Sequence, residues 1–180
     1  MSKAFTKEDD NAQDEGIQRV DELPLTAKNY VTARGYELLT EELDRLSSSE
    51  KPEIVRQLNV ATAASLELEV QPLKRRLREV EGRISYLTQR LKMAEIVDPA
   101  KRATPTDQVF FGATVTFTNR KGETRTVRIV GVDETDPAKG YITFVSPLAK
   151  ALLRAHEGDT VPFQSPAGQD ELEIQEVRYS

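Results

Sequence analysis

The stretch that decides the fold is Leu73-Lys-Arg-Arg-Leu77-Arg-Glu-Val80-Glu-Gly-Arg-Ile84-Ser-Tyr-Leu87-Thr-Gln-Arg-Leu91-Lys-Met-Ala94.

 Its large apolar residues Leu73, Leu77, Val80, Ile84, Leu87 and Leu91, followed by Ala94, recur at steps of 4, 3, 4, 3, 4 and 3. That is a heptad seam sustained for about three heptads, and it predicts a long helix with one apolar stripe. A single stripe has to be covered by another helix. Upstream, Tyr36, Leu39, Leu43 and Leu46 form one stripe, and Ile54, Leu58, Ala61, Ser65 and Leu68 continue it at helical spacing. Thr32 is the expected N-cap. Ser47, Ser48, Ser49 and Pro52 are expected to interrupt the first arm, with a second helical stretch starting at Pro52. Gln71-Pro72 is expected to break the chain between the arms, because a residue before proline avoids the helical region. The expectation is an antiparallel coiled-coil hairpin with its tip near residues 66–72, whose arms of 20–25 residues project about 30–37 Å. The alternative, two helices of a larger bundle, lacks a further long helix to complete it.

Beyond Asp98 the pattern changes. Residues 98–108 hold Pro99 and Pro105 and read as a linker. From Ala113 the period is two, and strands are expected at 113–118, 123–130, 141–145, 160–163 and 172–179, separated by polar turns. Ser146-Pro147 supplies an N-cap followed by proline at the first helical position, so a short helix is expected over 147–155. The domain plan is an acidic tail over 1–28, disordered by composition, a hairpin over 29–97, the linker 98–108, and a small α+β domain over 109–180.

Composition excludes much catalytic chemistry. Among 180 residues there is no cysteine and one histidine, His156. Disulfides, thiol nucleophiles and multi-histidine metal sites are therefore ruled out, and any Ser-His-Asp triad would have to use His156, which has no supporting pattern around it. No phosphate-binding glycine loop occurs, and no apolar run approaches the length of a membrane span. The expectation is a cytoplasmic protein with no membrane partner and no catalytic residue or metal site of its own. The net charge of −5 is unevenly distributed. Residues 1–25 carry seven acids and three bases, whereas residues 73–95 carry seven bases and three acids. Lys74, Arg75, Arg76 and Arg78 cluster beside the expected tip and could hold a nucleic-acid backbone by charge or could simply be solvated. Glu67 and Glu69 are the only carboxylates at the tip. They could help hold a divalent cation if a turn made them converge, since on a regular helix a two-residue spacing makes them diverge.

Several segments resemble the Gre family of bacterial transcript cleavage factors, its GreB branch in particular. They are Thr32-x-x-Gly35-Tyr-x-x-Leu39-x-x-Glu42-Leu43, Ala63-Ala-Ser65, Lys74-Arg-Arg-Leu-Arg-Glu-Val80, Val109-Phe-Phe-Gly-Ala-Thr-Val115, Ile129-Val-Gly131 and Ser146-Pro-Leu-Ala-Lys-Ala-Leu-Leu153. The resemblance implies a coiled-coil hairpin joined to an FKBP-like domain with a small antiparallel sheet and one short helix. It implies a monomer that docks this domain on the rim of the RNA polymerase secondary channel, through Ser146, Pro147, Ala149 and Leu152, and inserts the hairpin. It implies no cofactor of its own: acidic tip residues help the polymerase hold its magnesium, and the basic patch holds the extruded RNA 3′ segment. Typical members carry a Gly-Asp-x-Ser-Glu-Asn-x-Asp/Glu-Tyr tip after Ala-Ala-Ser. This chain instead reads Leu66-Glu-Leu-Glu-Val-Gln-Pro-Leu73, about five residues shorter, which retracts the tip by roughly 4 Å. Val145 stands where close relatives tend to have aspartate. The expected function is a polymerase-binding transcription factor with weak or no stimulation of transcript cleavage. The alternatives are an ordinary cleavage factor using Glu67 or Glu69, and an FKBP-like chaperone or scaffold unrelated to polymerase.

Overall fold

The computed structural model describes residues 29–98, 106–165 and 168–179. The expected tail and most of the expected linker lie outside the described residues. The hairpin begins with strand β1 (Asn29–Thr32) and helix α1 (Ala33–Arg45), continues through a π-helical turn (Leu46–Glu50) into α2 (Lys51–Ala63), and returns along α3 (Glu67–Lys92) into strand β2 (Ala94–Val97). Thr32 is the N-cap, its side chain accepting from Gly35 N at 3.0 Å.

Every residue of the 73–94 seam packs in the hairpin core, against Tyr36, Leu39, Leu43, Leu46 and Ile54 of the opposite arm. The first arm is not broken at Ser47–Pro52. Lys51 N donates to Leu46 O, five residues back, so one wide turn takes up the irregularity beside Pro52 and the helix runs on. The second expected break is also absent: Pro72 lies inside α3. It is the sixth residue of that helix, so only the Leu68 carbonyl loses a helical partner, and that carbonyl sits at the solvated end.

The tip is therefore the turn Ala64-Ser65-Leu66, earlier in the chain than expected. Ser65 N donates to Thr62 O at 3.1 Å and Leu66 N to Ala61 O at 2.9 Å. This is the Schellman pattern, with Ser65 in the left-handed region (φ 55°) where glycine is usual. The apolar stripe of the first arm ends at Ala61, which is 2% exposed; Ser65 and Leu68 face solvent, Leu68 at 93%.

The second unit is a five-stranded curled sheet made of β3 (Thr114–Asn119), β4 (Thr124–Val130), β5 (Tyr141–Thr143), β6 (Thr160–Ser165) and β7 (Gly168–Arg178), in the order β5-β4-β3-β7-β6. All pairings are antiparallel except β4 with β5. Helix α4 (Pro147–Leu152) packs on its inner face. The inward series on β7 runs Leu172, Ile174, Val177. Its step lengthens because the register shifts opposite Thr116 and Phe117, leaving Gln175 as the extra residue of a bulge.

The sequence reading did not anticipate β1 and β2. They pair in parallel, Asn29 with Ala94 through Thr32 with Val97, and clasp the base of the hairpin. The base then meets the sheet domain through the rings of Tyr30, Phe111 and Phe144, whose centroids lie 5.7–6.1 Å apart.

Candidate functional site: the distal arm of the hairpin

Two features meet at the far end of the hairpin, an apolar apex with carboxylates beside it and a cationic face behind it. Glu67 and Glu69 both lie in the first turn of α3 and are exposed. Acidic side chains there are favourable on structural grounds alone, because they face the positive end of the helix dipole. A two-residue step rotates a side chain by about 200° around a helix. The turn geometry that would make the two carboxylates converge is therefore absent. Glu69 borders a shallow cleft between the arms, lined also by Arg56, Val60, Leu68 and Pro72. Glu67 points elsewhere, onto the face that it shares at seven- and eleven-residue spacing with Lys74 and Arg78, about 10 and 16 Å further along the axis. No group of three or more His, Asp or Glu side chains that could hold a metal ion occurs among the described residues, and two diverging glutamates do not make one.

The four basic residues are not equivalent. Arg76 flanks the seam and bridges the arms: its guanidinium binds Glu50 of the opposite arm, and Nη1 lies 3.5 Å from Glu79. The hydrogen-bonded Glu50 carboxylate holds the Arg76 guanidinium above its ordinary pKa. Lys74, Arg75 and Arg78 are exposed and make no ion pair or side-chain hydrogen bond among the described residues. They leave three uncompensated cations on the outer surface of α3 beside the tip; Lys92, at the base end of the helix, is likewise exposed and without an ion pair among the described residues. Further down the hairpin the arms are tied again, by Arg83 to Glu42 at 2.8 Å through two parallel bonds and by Lys51 to Glu81 at 2.9 Å.

The expected docking residues also divide. Ser146 caps α4, its Oγ accepting from Ala149 N at 3.1 Å, and Pro147 is exposed. Ala149 and Leu152 are fully buried in the sheet-domain core. They hold α4 in place and cannot present their side chains to a partner, which corrects the sequence expectation. The first turn of a helix this short puts its cap outward and its second apolar positions inward. His156 is exposed; its Nδ1 lies 3.6 Å from Asp159 and its backbone N donates to the same carboxylate. This is a turn contact with no nucleophile attached.

The residues that sequence reasoning missed sit where the two units join. Arg90 Nε donates to Asp133 Oδ2 at 2.8 Å, and Arg90 Nη2 donates to Asn29 Oδ1 at 2.5 Å. Tyr86 OH donates to the other Asp133 oxygen at 2.5 Å. Glu134 accepts from Thr32 N at 2.9 Å, from the Thr32 hydroxyl and from Gly131 N at 3.0 Å. Two consecutive acids in the loop after β4 thus fix the base of the hairpin. The available signal was the acidic pair Asp133-Glu134, one residue past Gly131, in a segment read as a polar turn.

Hairpin, clasp and curled sheet define a class: a long two-helix arm, cationic near its apex, carried on a small β domain. Known proteins make the class specific. The family described as "Transcription elongation factor, N-terminal" matches residues 29–96, and "Transcription elongation factor, GreA/GreB, C-term" matches residues 104–179. Transcription elongation factor GreB of Neisseria meningitidis serogroup A is 46% identical over 155 residues, covering 84% of this chain and 94% of that one. GreB of Yersinia pestis is 39% identical over 158 residues, covering 86% and 91%. GreA of Alkalilimnicola ehrlichii is 40% identical over 154 residues, covering 83% and 97%. Among solved structures, the GreA factor homolog Gfh1 of Thermus thermophilus aligns over 84% of this chain and 99% of its own, with 23% identity and a TM-score of 0.40. The chain belongs to the GreA/GreB family of transcription elongation factors.

Proposed function

We propose that this elongation factor binds RNA polymerase as a monomer, in the cytoplasm, and acts through the secondary channel with weak or no stimulation of transcript cleavage. The observation that carries the reading is the tip: its apex is Ala64-Ser65-Leu66, and the carboxylates beside it diverge by about 200° on a regular helix turn. Two acids that cannot face one point give little help to a metal held by another protein, and misplacement by a few ångströms is enough to lose most of a positional rate effect. Lys74, Arg75 and Arg78 would hold an RNA 3′ segment by charge, and Ser146 and Pro147 would meet the polymerase rim. The chain supplies no cofactor; any magnesium in the reaction is the polymerase's own.

The test is a backtracked elongation complex with the protein added. The expected result is a cleavage rate within a few-fold of polymerase alone, together with retention of core polymerase in a pull-down. A second reading, an ordinary cleavage factor, is favoured by one feature: Glu67 shares its helix face with Lys74 and Arg78, so one acid and the cations could engage the same RNA end. Strong cleavage that disappears in Glu67→Ala, Glu69→Ala would establish that reading instead.

A further inference from the structure

Beside the apex, on one side of the hairpin, the two arms stand apart and leave a notch of about 460 Å³. Its walls are largely aliphatic, with Val60 and Ala61 on α2 and Leu68 and Pro72 on α3. The outer wall is open to solvent: Val60 is 57% exposed and Leu68 93%. A leucine turned almost wholly to water does nothing for the fold, whereas an exposed aliphatic patch rimmed by polar groups suits a protein contact. The rim defines the occupant. Its donors are turned onto Glu53: Arg56 binds that carboxylate through bonds of 2.9 and 2.7 Å, and Gln57 donates to it at 2.8 Å. Its acceptors are open. The exposed Glu69 side chain makes no ion pair among the described residues, and Pro72 has no N–H to give the Leu68 carbonyl. On this side of α3 the next cations, Arg75 and Arg76, stand a heptad beyond Leu68 and Glu69, about 10 Å along the axis, and Arg76 is held by Glu50.

We propose that the Val60–Leu68–Pro72 notch is a second protein contact with RNA polymerase, seating an aliphatic side chain of the channel wall whose neighbouring lysine or arginine pairs with Glu69. Aliphatic walls with open acceptors, and Glu53 and Glu69 set against Arg56, fit that combination. They do not fit RNA: no aromatic ring lines the notch to stack a base, and its carboxylates repel phosphate. A second copy of the chain does not fit either. Three or four aliphatic side chains offer a few hundred Å² at most, well below the roughly 800 Å² per partner of a stable interface. A contact this small holds only a partner already fixed elsewhere on the chain, through effective concentration. Glu69 and Pro72 lie about 120–180° around α3 from Lys74 and Arg78, so the notch and the cationic face can be occupied together. Glu69 thereby serves protein binding instead of a metal. That the partner is polymerase rests on the function proposed above; the chemistry of the occupant does not.

The test titrates the full chain, fluorescently labelled at one end, with core RNA polymerase in the absence of RNA. The double variant Val60→Ser, Leu68→Ser is expected to bind about tenfold more weakly or worse, as two aliphatic side chains lose their buried area. Glu69→Lys is expected to weaken binding three- to tenfold. Val55→Ser, an exposed valine of α2 outside the notch, should bind within twofold of the parent. A photo-reactive benzoylphenylalanine in place of Leu68 should crosslink to a polymerase subunit, and one in place of Val55 should not. This second readout keeps the chain's native side chains everywhere else. If the double variant binds like the parent, if Val55→Ser loses as much, or if position 68 crosslinks to no polymerase subunit, the notch proposal fails while polymerase binding by the factor stands. If the parent itself does not bind core polymerase, the function proposed above fails and the stated partner with it. A concentration-dependent dimer of the parent that Leu68→Ser abolishes makes a second copy the occupant and also overturns the proposal.

Discussion

Arg90 and Asp133, 43 residues apart in sequence, form an ion pair of 2.8 Å in which each side chain is only 5% exposed. The pair sits between the hairpin and the sheet domain, and Asn29 and Tyr86 satisfy further polar atoms of both partners. Removing one member of such a pair leaves a desolvated charge behind, which typically costs about 3–5 kcal/mol. Asp133→Ala is expected to lose that much in urea unfolding. The double variant Arg90→Met, Asp133→Leu should lose markedly less, because neither charge is left stranded. A single-variant loss below about 1 kcal/mol would show that the joint is solvated in solution.

The same joint predicts an alkaline response. Burial, reinforced by the hydrogen bond to Asp133, pushes the Tyr86 hydroxyl up from 10.0 to about 12. The folded state therefore holds the phenolic proton at pH values where the unfolded chain releases it. The sign follows: this contribution is fully present below pH 10 and is lost as the pH rises from 10 towards 12. Ultraviolet difference titration should show one tyrosine ionising late. Stability should fall less steeply across that window in Tyr86→Phe than in the parent.

Two helical glycines should respond in opposite directions to alanine. A Cβ on Gly35 would lie 2.1 Å from Glu134 Cδ and 2.6 Å from Cγ. Glu134 cannot swing away without releasing Thr32 and Gly131. Gly35→Ala is expected to cost about 1–3 kcal/mol, the usual range for overpacking. A Cβ on Gly82 would meet nothing within 4 Å, so Gly82→Ala should gain about 0.5–1 kcal/mol. Urea midpoints of the two variants, moving apart around the parent, check both.

Which parts of this were readable beforehand follows from the range of the forces involved. The α3 seam was legible because a helix repeats its core contacts every three or four residues, and all seven residues from Leu73 to Ala94 pack as the spacing requires. The strands from β3 to β7 were legible through period-two patterning and turn residues. The β1–β2 clasp was not: its partners are 65 residues apart, as Asn29 and Ala94 show, and four-residue strands carry little pattern. Pro72 misled because proline's effect depends on its place in the helix, and the helix start at Glu67 was itself unknown. At the candidate site the cationic cluster was visible as composition. That Arg76 is spent on Glu50 depends on the register between the arms, which no local spacing encodes.

Ser65 at φ 55° occupies the left-handed position of the tip turn. A residue with a Cβ is disfavoured there by about 1–2 kcal/mol, and glycine is not. Ser65→Gly should accordingly stabilise the tip by about 1 kcal/mol, less the larger chain entropy of glycine in the unfolded state. Hydrogen exchange at Leu66 and Ser65, the two amides that close the turn, should slow relative to amides at the hairpin base.

The inequality among the basic residues gives a prediction on salt dependence. Each phosphate neutralised on a single strand releases condensed counterions and contributes about 0.7 to the slope of log affinity against log salt. Lys74, Arg75 and Arg78 have no carboxylate partner among the described residues, so Arg78→Ala should lower the slope for single-stranded RNA by about that amount. Arg76 already lies between Glu50 and Glu79. To contact phosphate it would first have to surrender those carboxylates, and its net contribution to counterion release is small. Arg76→Gln should therefore change the slope by less than half as much as Arg78→Ala, while loosening the tie between the arms, seen as faster hydrogen exchange near Glu50. Equal slope changes in the two variants would mean that RNA pulls Arg76 off Glu50, and that the inter-arm bridge opens when the face is occupied.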